Sequence, residues 1–168
     1  MPNHCFNRLE IHCKSEKQAK EIAKFLESEE TCFDLNNIYP APDWKKTPLT
    51  GKEKSWVSVS KKYGDVGELP VKDDTFPKAI GEVWKFASTG QNDDRWYDWR
   101  IENWGTKWNT YDDELCDMDD SLSYTFNTAW SPPEMAIAHL REIYKEERDG
   151  VSIVAFYDEP GMAIAGYY

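Results

Sequence analysis

The clearest structural pattern in this chain of 168 residues covers positions 122–134, which read LSYTFNTAWSPPE. Apolar side chains alternate with small polar ones from Leu122 to Trp130, a spacing typical of a strand with one buried face. Residues 131–134 then predict a helix start, because Ser caps the first turn, Pro fits the first helical position and Glu reaches back to the cap. We expect this helix to run to about Glu147.

Further strands are predicted on both sides of this strand-to-helix unit. Residues 106–111 alternate in the same way and predict a strand that pairs antiparallel with 122–130 across an acidic turn. Residues 151–157 and 162–168 predict a hairpin that closes the chain. This part of the sequence therefore favours an antiparallel sheet.

The N-terminal part predicts the order strand, helix, strand. Residues 7–13 alternate as a half-buried strand, and Ser15 followed by Gln18 predicts a capped helix. Residues 32–38 predict a second strand, ended by the two prolines that follow. The helices of the chain are then expected on one face of the sheet.

Residues 43–90 are the least regular part of the sequence and predict an insertion. Residues 55–60 alternate and predict a short strand, whereas a helix is expected between Pro77 and Gly90. Because no internal repeat and no low-complexity linker is present, we interpret residues 1–168 as a single domain with this insertion.

Residues 96–108 read WYDWRIENWGTKW and hold four of the eight tryptophans. Tyr97, Ile101 and Trp104 are spaced four and then three apart, which predicts one face of a short helix, and Gly105 is suited to end it. Three interpretations remain open for the block: a nucleotide-like pocket, an anchor for a protein interface, and a buried core. The candidate pocket residues are Trp99, Arg100, Asn103, Trp104, Lys107, Trp108 and Asn109.

Charge is distributed unevenly along the chain. The formal net charge is -11, and residues 63–168 carry nine Lys and Arg against 22 Asp and Glu. A surface of this kind repels phosphate backbones, which argues against nucleic acid and favours a basic or nucleic-acid-binding protein partner. A solvated loop is the alternative interpretation. The candidate interface residues are Tyr111, Asp112, Asp113, Glu114, Asp117, Asp119 and Asp120.

Several function classes lack support in the sequence. Cys5, Cys13, Cys32 and Cys116 show no C-x-x-C spacing, so we expect reduced thiols and neither a metal site nor a cofactor. No nucleophile, phosphate-loop or dinucleotide motif is present, so no catalytic residue is predicted. No signal peptide or apolar stretch of membrane-spanning length is found, which predicts a cytoplasmic protein with no membrane partner.

Four segments of the chain resemble the YubB-type ferredoxin-like family of bacteriophages and conjugative plasmids. They are Met1–Asn3 followed by Cys5, Asn7 and Leu9; the 99–109 block, WRIENWGTKWN; the strand-to-helix join at 126–133, FNTAWSPP; and the late 157–159, YDE, with Ala165-Gly166. The resemblance implies a ferredoxin-like α+β fold without an iron–sulfur cluster. It also implies a mobile-element gene whose small accessory product acts on host defence or host machinery, and it implies no catalytic residue.

The leading functional hypothesis is a non-enzymatic accessory protein of a phage or plasmid. It would bind and inhibit a host protein, a defence component among the candidates, through the acidic residues and nearby aromatic side chains. The alternative is a protein that binds or sequesters a small nucleotide-like ligand between the tryptophans.

Overall fold

The computed structural model describes residues 3–44 and 95–168. Most of the predicted insertion at 43–90, including its strand and its helix, lies outside these residues. The chain divides into two compact units, one made of 1–40 with 99–168 and the other of 41–98. The single domain with an insertion at 43–90 stays a prediction.

The larger unit contains a five-stranded antiparallel sheet with the strand order β2-β3-β1-β4-β5. Its strands are β1 (His4–His12), β2 (Tyr111–Met118), β3 (Ser121–Ala129), β4 (Ser152–Glu159) and β5 (Ile164–Tyr167). The central strand β1 is antiparallel to both β3 and β4. The first four strands have the arrangement of a β-α-β-β-α-β unit, in which β1 is joined to β2 by a crossover and β3 lies between them. The predicted α+β fold with a ferredoxin-like antiparallel sheet is confirmed.

Five helices belong to the described residues: α1 (Glu16–Leu26), α2 (Leu35–Ile38), α3 (Arg95–Trp104), α4 (Glu134–Ile143) and α5 (Glu146–Asp149). Helix α1 begins as predicted, because the Ser15 hydroxyl accepts a hydrogen bond of 3.3 Å from the backbone N–H of Gln18. The Gln18 side chain in turn accepts from the backbone N–H of Lys14 over 2.9 Å. Among the described residues, no helix combines the length and apolarity that crossing a bilayer requires.

One face of the sheet is buried and holds the core. On β1 the side chains alternate between exposed and buried, and Leu9 and Ile11 are completely buried. The ring of Phe33 stacks on that of Phe126 at a centroid distance of 4.8 Å and contacts Tyr124 at 5.0 Å. This aromatic group fixes the segment between α1 and α2 against β3.

The predicted strand at 32–38 is wrong, because residues Leu35–Ile38 form α2. The carboxylate of Asp34 accepts a hydrogen bond of 2.8 Å from the backbone N–H of Asn36 and so caps the helical turn. A local side-chain acceptor of this kind offers the backbone an alternative to a strand ladder.

The predicted strand at 106–111 is also wrong, because β2 begins at Tyr111 and continues to Met118. The hydroxyl of Thr106 donates to the carbonyl of Ala129 and that of Thr110 to the carbonyl of Phe33. The segment before β2 is therefore held by side chains and not by a ladder. Four of the six acidic residues predicted in a turn belong to β2, and only Asp119 and Asp120 form the turn to β3.

The helix predicted from Ser131 to Glu147 is shorter than expected. Helix α4 begins at Glu134, and the Ser131 hydroxyl donates to the carbonyl of Gly105 over 2.6 Å and does not cap α4. It ends at Ile143, after which α5 forms a separate turn. The short helix predicted from Tyr97, Ile101 and Trp104 is α3, in which Trp104 is buried whereas Tyr97 and Ile101 are exposed.

Candidate functional site

Strand β2 is an edge strand that carries most of the acidic candidates. It pairs with β3 on one side, and no described strand pairs with its other edge. Its register shifts between Tyr111 and Glu114, where Asp112 adopts a φ of 50°. This irregularity is typical of a β-bulge, which twists the edge of a sheet. Six of the eight residues in β2 are exposed.

Residues 31–35 are joined by side-chain hydrogen bonds to Asn109 and Thr110, directly before β2. The Thr31 and Thr110 hydroxyls lie 3.0 Å apart, and the backbone N–H of Leu35 donates to the Asn109 amide oxygen over 2.9 Å. The Asn109 amide nitrogen donates to Asp34 over 2.8 Å. These contacts lie directly before β2, whereas residues 114–118 at its other end are all exposed.

Asp113 differs from the other acidic candidates because it holds the fold together. Its carboxylate accepts a hydrogen bond of 2.5 Å from the backbone N–H of Cys32. Burial raises the pKa of this carboxyl, but hydrogen bonds from Cys32 and Thr31 outweigh burial and lower the pKa below its ordinary value. The exposed acidic side chains are those of Asp112, Glu114, Asp117, Asp119 and Asp120.

Tyr111 is also held inside the fold. Its hydroxyl donates to the carbonyl of Thr128 over 3.3 Å and shares a hydrogen bond of 2.8 Å with Nδ1 of His4. The Tyr111 and His4 rings meet edge to face at 5.8 Å. Burial raises the pKa of the Tyr111 phenol, and the Asp112 and Cys5 charges raise it further. Tyr111 therefore anchors the start of β2.

The tryptophan block divides into a buried part and an exposed part. Trp104 is 1% exposed, and its indole N–H donates to the carbonyl of Tyr39 over 2.8 Å. The guanidinium of Arg100 lies over the Trp104 ring at 4.8 Å and donates to the carbonyl of Lys107. Burial lowers the pKa of Arg100. The Trp99 ring meets the Trp104 ring edge to face at 5.8 Å.

Of the remaining pocket candidates, Asn103 and Asn109 form hydrogen bonds within the fold, whereas Lys107 and Trp108 contact each other. The Asn103 amide donates to the carbonyl of Trp99 over 2.8 Å, and Asn109 caps the segment around Asp34 as described above. Trp108 is 38% exposed and is the candidate tryptophan that most clearly faces solvent. The structure therefore places Trp99, Arg100, Asn103 and Trp104 together on α3, whereas Trp108 follows the end of this helix.

Trp108 and Trp130 form an exposed aromatic group that we name the indole pair. The Lys107 ammonium lies 4.6 Å from the centre of the Trp108 ring and 5.7 Å from that of Trp130, within cation–π range of both. Trp130 is 42% exposed and has a φ of 74°, which is unusual for a bulky residue. Its backbone N–H donates to the carbonyl of Asn3 over 3.0 Å.

Sequence reasoning missed Trp130 as a surface residue. The alternation from Leu122 predicts that Trp130 continues the buried face, and β3 does keep that alternation up to Thr128. The positive φ at Trp130 turns its side chain away from this face. Its position directly before Ser-Pro-Pro, where a strand must end, was the signal available in the sequence.

Metal binding has no support in the part of the chain that the structure describes. There, no group of three His, Cys, Asp or Glu side chains is placed to hold a metal ion. All four cysteines are free, and burial raises the pKa of Cys5 to about 11 and that of Cys32 to about 12. Both thiols are therefore weak nucleophiles near neutral pH.

Comparison with known proteins supports the fold and leaves the function open. Residues 103–168 match a family model described as a ferredoxin-like domain in Api92-like protein. The crystal structure of protein api92 from Yersinia pseudotuberculosis is similar, with a TM-score of 0.54 and 14% identity over 99% of this chain and 93% of that chain. At this identity the likeness shows the fold alone. No curated protein matches the chain.

Proposed function

We propose that the chain is a non-enzymatic accessory protein of a mobile genetic element that binds and inhibits a host protein. The contact surface would be the acidic edge, which we define as residues 114–120, with the indole pair as a second contact. The observation that carries the proposal is the exposed edge of β2, where both main-chain groups and carboxylates face solvent.

An open strand edge provides a mode of binding. An extended segment of another protein adds to such an edge as a further strand, with main-chain hydrogen bonds giving affinity and side chains giving specificity. At the acidic edge, Leu115 and Met118 are exposed beside Asp117. If a partner strand binds here, these apolar side chains lose contact with water, and this burial adds to the binding free energy.

Charge selects the kind of partner. Between Trp108 and Leu140 the sequence has no Lys or Arg, so no cation of this segment neutralises the acidic edge. Among the described residues, no ion pair involves Glu114, Asp117, Asp119 or Asp120. A basic segment, such as the nucleic-acid-binding surface of a host protein, is therefore the partner that this edge attracts.

The indole pair supplies an aromatic contact of the type that dominates protein interfaces. Trp side chains are enriched among residues whose truncation costs more than about 1 kcal/mol of binding free energy. Trp130 keeps a conformation that costs roughly 1–3 kcal/mol, and exposing an indole at such a position is consistent with a binding role. The Lys107 ammonium lies within cation–π range of both rings.

A triple charge reversal tests the proposal. The test variant carries Glu114→Lys, Asp117→Lys and Asp120→Lys, which spares Asp113 because that carboxylate supports the fold. The control variant carries Glu29→Lys, Glu30→Lys and Glu147→Lys, three exposed acids outside β2 with the same total change in charge. Circular dichroism checks that both variants are folded.

Affinity capture from a bacterial lysate, followed by mass spectrometry, is the measurement. We expect basic host proteins to be enriched by the original chain and by the control, and lost with the test variant. Capture that is unchanged in the test variant, or equally lost in the control, would reject the acidic edge as the contact surface.

The alternative function is binding of a small nucleotide-like ligand. The observation that favours it is the Lys107 ammonium beside two exposed indoles, since an anion and a base could contact these groups together. Against it, Trp104 is buried and its N–H is already paired. Calorimetric titration with nucleotides separates the two functions, because ligand binding predicts heat that is lost in Trp108→Ala.

A further inference from the structure

Strand β5 forms the other edge of the sheet and differs from β2 in chemistry. No described strand pairs with its outer edge. Residues 160–168 read PGMAIAGYY and contain no charged side chain. Ile164, Ala165 and Tyr167 are exposed, with Tyr167 at 79%. An exposed apolar edge of this kind lacks the lysines, prolines within the strand and inward charges by which proteins prevent edge pairing.

A shallow groove lies beside β5 on the exposed face of the sheet. It has a volume of about 380 Å³ and is lined by Arg8, Glu10, Val154, Phe156 and Tyr167. The Phe156 and Tyr167 rings meet edge to face at 5.4 Å. Aromatic and aliphatic side chains therefore continue from the open edge onto the sheet.

We propose that β5 pairs antiparallel with β5 of a second copy of this chain and forms a two-fold symmetric dimer. Charge favours the place on the surface where two copies can approach each other. Two chains of net charge -11 repel one another, and the repulsion is greatest where two acidic β2 edges would meet. The uncharged β5 edge is where two copies approach with the least electrostatic cost.

Side-chain sizes along β5 fit pairing centred on Gly166. In that register Tyr167 of each copy lies opposite Ala165 of the other, and directly opposed residues of antiparallel strands point to the same face. Tyr167 and Ala165 both lie on the exposed face, because they pair with Phe156 and Asp158 of β4. A large side chain thus meets a small one twice, which is the self-complementarity that a two-fold interface requires.

The pairing would join two five-stranded sheets into one continuous sheet. Tyr167 and Phe156 would lose part of their exposed area, and the outer main-chain groups of β5 would gain hydrogen-bond partners. Because the strand has only four residues, the interface is smaller than the standard size for stable complexes, and we expect a dissociation constant in the micromolar range.

Sedimentation velocity over a concentration series tests the dimer. We expect the mass to rise with concentration from that of one chain, 19.6 kDa, towards twice that value. Ala165→Lys, which places a long charged side chain opposite Tyr167 of the other copy, is expected to raise the dissociation constant by about a hundredfold. Tyr167→Ala is expected to raise it by about tenfold.

Leu115→Lys is the matched control, since it places the same charge on an exposed position of the opposite edge strand. We expect it to dimerise like the original chain. If the original chain stays monomeric at every concentration, or if Leu115→Lys dissociates as readily as Ala165→Lys, the proposal is wrong. Tyr167→Ala removes an exposed ring and should not prevent folding. Its dissociation constant therefore tests the dimer if Ala165→Lys fails to fold. The mass of the chain alone is measured, so the result does not depend on capture of a host protein by the acidic edge.

Discussion

The hydroxyl of Tyr168 donates a hydrogen bond of 3.1 Å to Oδ1 of Asn7, and so links the residue after β5 to the central strand. The Asn7 amide nitrogen donates to the carbonyl of Cys5 and the hydroxyl of Thr128, both over 2.9 Å. Arg141 of α4 donates to the carbonyl of Tyr168 over 2.6 Å. Asn7 is completely buried, so the tyrosine satisfies a polar group that water does not reach.

Tyr168→Phe should therefore destabilise the fold. The substitution removes only the hydroxyl and leaves the buried Oδ1 of Asn7 without this donor, which costs about 1–2 kcal/mol. Urea unfolding followed by tryptophan fluorescence measures the difference in the free energy of unfolding. Tyr167→Phe is the control, because the neighbouring hydroxyl belongs to an exposed side chain and its loss should change stability little. Equal stabilities of the two variants would contradict the proposed role of the Tyr168 hydroxyl.

Stability should fall at alkaline pH. Burial raises the pKa of the Cys5 thiol from 9.0 to about 11, although a hydrogen bond with Thr128 lowers it somewhat. Burial likewise raises the pKa of the Tyr168 phenol. Because these pKa values are higher in the folded state, the folded chain holds the protons more tightly. The contribution of Cys5 is complete below pH 9 and is lost as the pH rises from 9 towards 11.

Urea midpoints between pH 7 and pH 10.5 test this dependence. The midpoint should stay nearly constant up to pH 9 and then decrease, and the decrease should be smaller in Cys5→Ala. Cys116→Ala, which removes an exposed thiol, should follow the original chain. A midpoint that rises above pH 9 would have the wrong sign for a buried thiol.

The fold was largely predictable from the sequence, because its central elements have strong local patterns. The alternation around Leu9 and from Leu122 to Phe126 corresponds to β1 and β3, and both strands are buried on one face. The cap at Ser15 marks the start of α1. These signals depend on neighbouring residues alone, so no tertiary information was needed to find them.

Two of the errors occur where a long-range contact overrides a local pattern. Asp113 was predicted to lie in an acidic turn as an interface candidate, but it accepts a hydrogen bond from Cys32, which is 81 positions away in the sequence. Ser131 was predicted to cap α4, but its hydroxyl bonds to Gly105. Trp130 was predicted in a strand, and its positive φ moves it to the surface. No periodicity in the sequence encodes these two contacts or this backbone conformation.

The acidic candidates should differ in their effects on stability. Asp113→Asn weakens the hydrogen bond to the backbone N–H of Cys32 and should cost about 1 kcal/mol at pH 7. Glu114→Gln, next to it on the same strand, concerns an exposed carboxylate and should be neutral. Because the pKa of Asp113 is lowered in the folded state, its contribution is present at neutral pH and is lost as the pH falls below about 4. Thermal unfolding at pH 7 and pH 3 measures both differences, and a gap between the variants that widens at pH 3 would contradict this assignment.

The two parts of the tryptophan block should respond differently to truncation. Trp104→Ala removes a buried indole and its hydrogen bond to Tyr39, and should cost about 3–5 kcal/mol. Trp108→Ala removes a half-exposed indole and should cost less than about 1.5 kcal/mol. Denaturant unfolding compares them. A large loss in Trp108→Ala would show that the indole pair stabilises the fold, and would weaken its assignment as a contact surface.

Replacing Gly105, which lies at the junction between α3 and α4, should strongly destabilise the fold. Its φ is 88°, and a Cβ at this position would lie 2.9 Å from the backbone nitrogen of Glu134 and 3.0 Å from the carbonyl oxygen of Pro132. Both neighbours are backbone atoms, so relief requires movement of the first turn of α4. Gly105→Ala combines this overlap with left-handed strain, and should lower the free energy of unfolding by about 2–4 kcal/mol.

Gly150→Ala separates the two causes of that loss. Gly150 has a φ of 64°, but the three atoms nearest to a Cβ there all belong to the side chain of Lys14, which can move away. We therefore expect Gly150→Ala to lose about 1 kcal/mol, the cost of the left-handed backbone alone. Urea unfolding of both variants gives the difference that belongs to the contact between Gly105 and α4. If the two variants lose the same amount, the close approach of these backbones does not contribute, and the strand-to-helix join tolerates more movement than its geometry indicates.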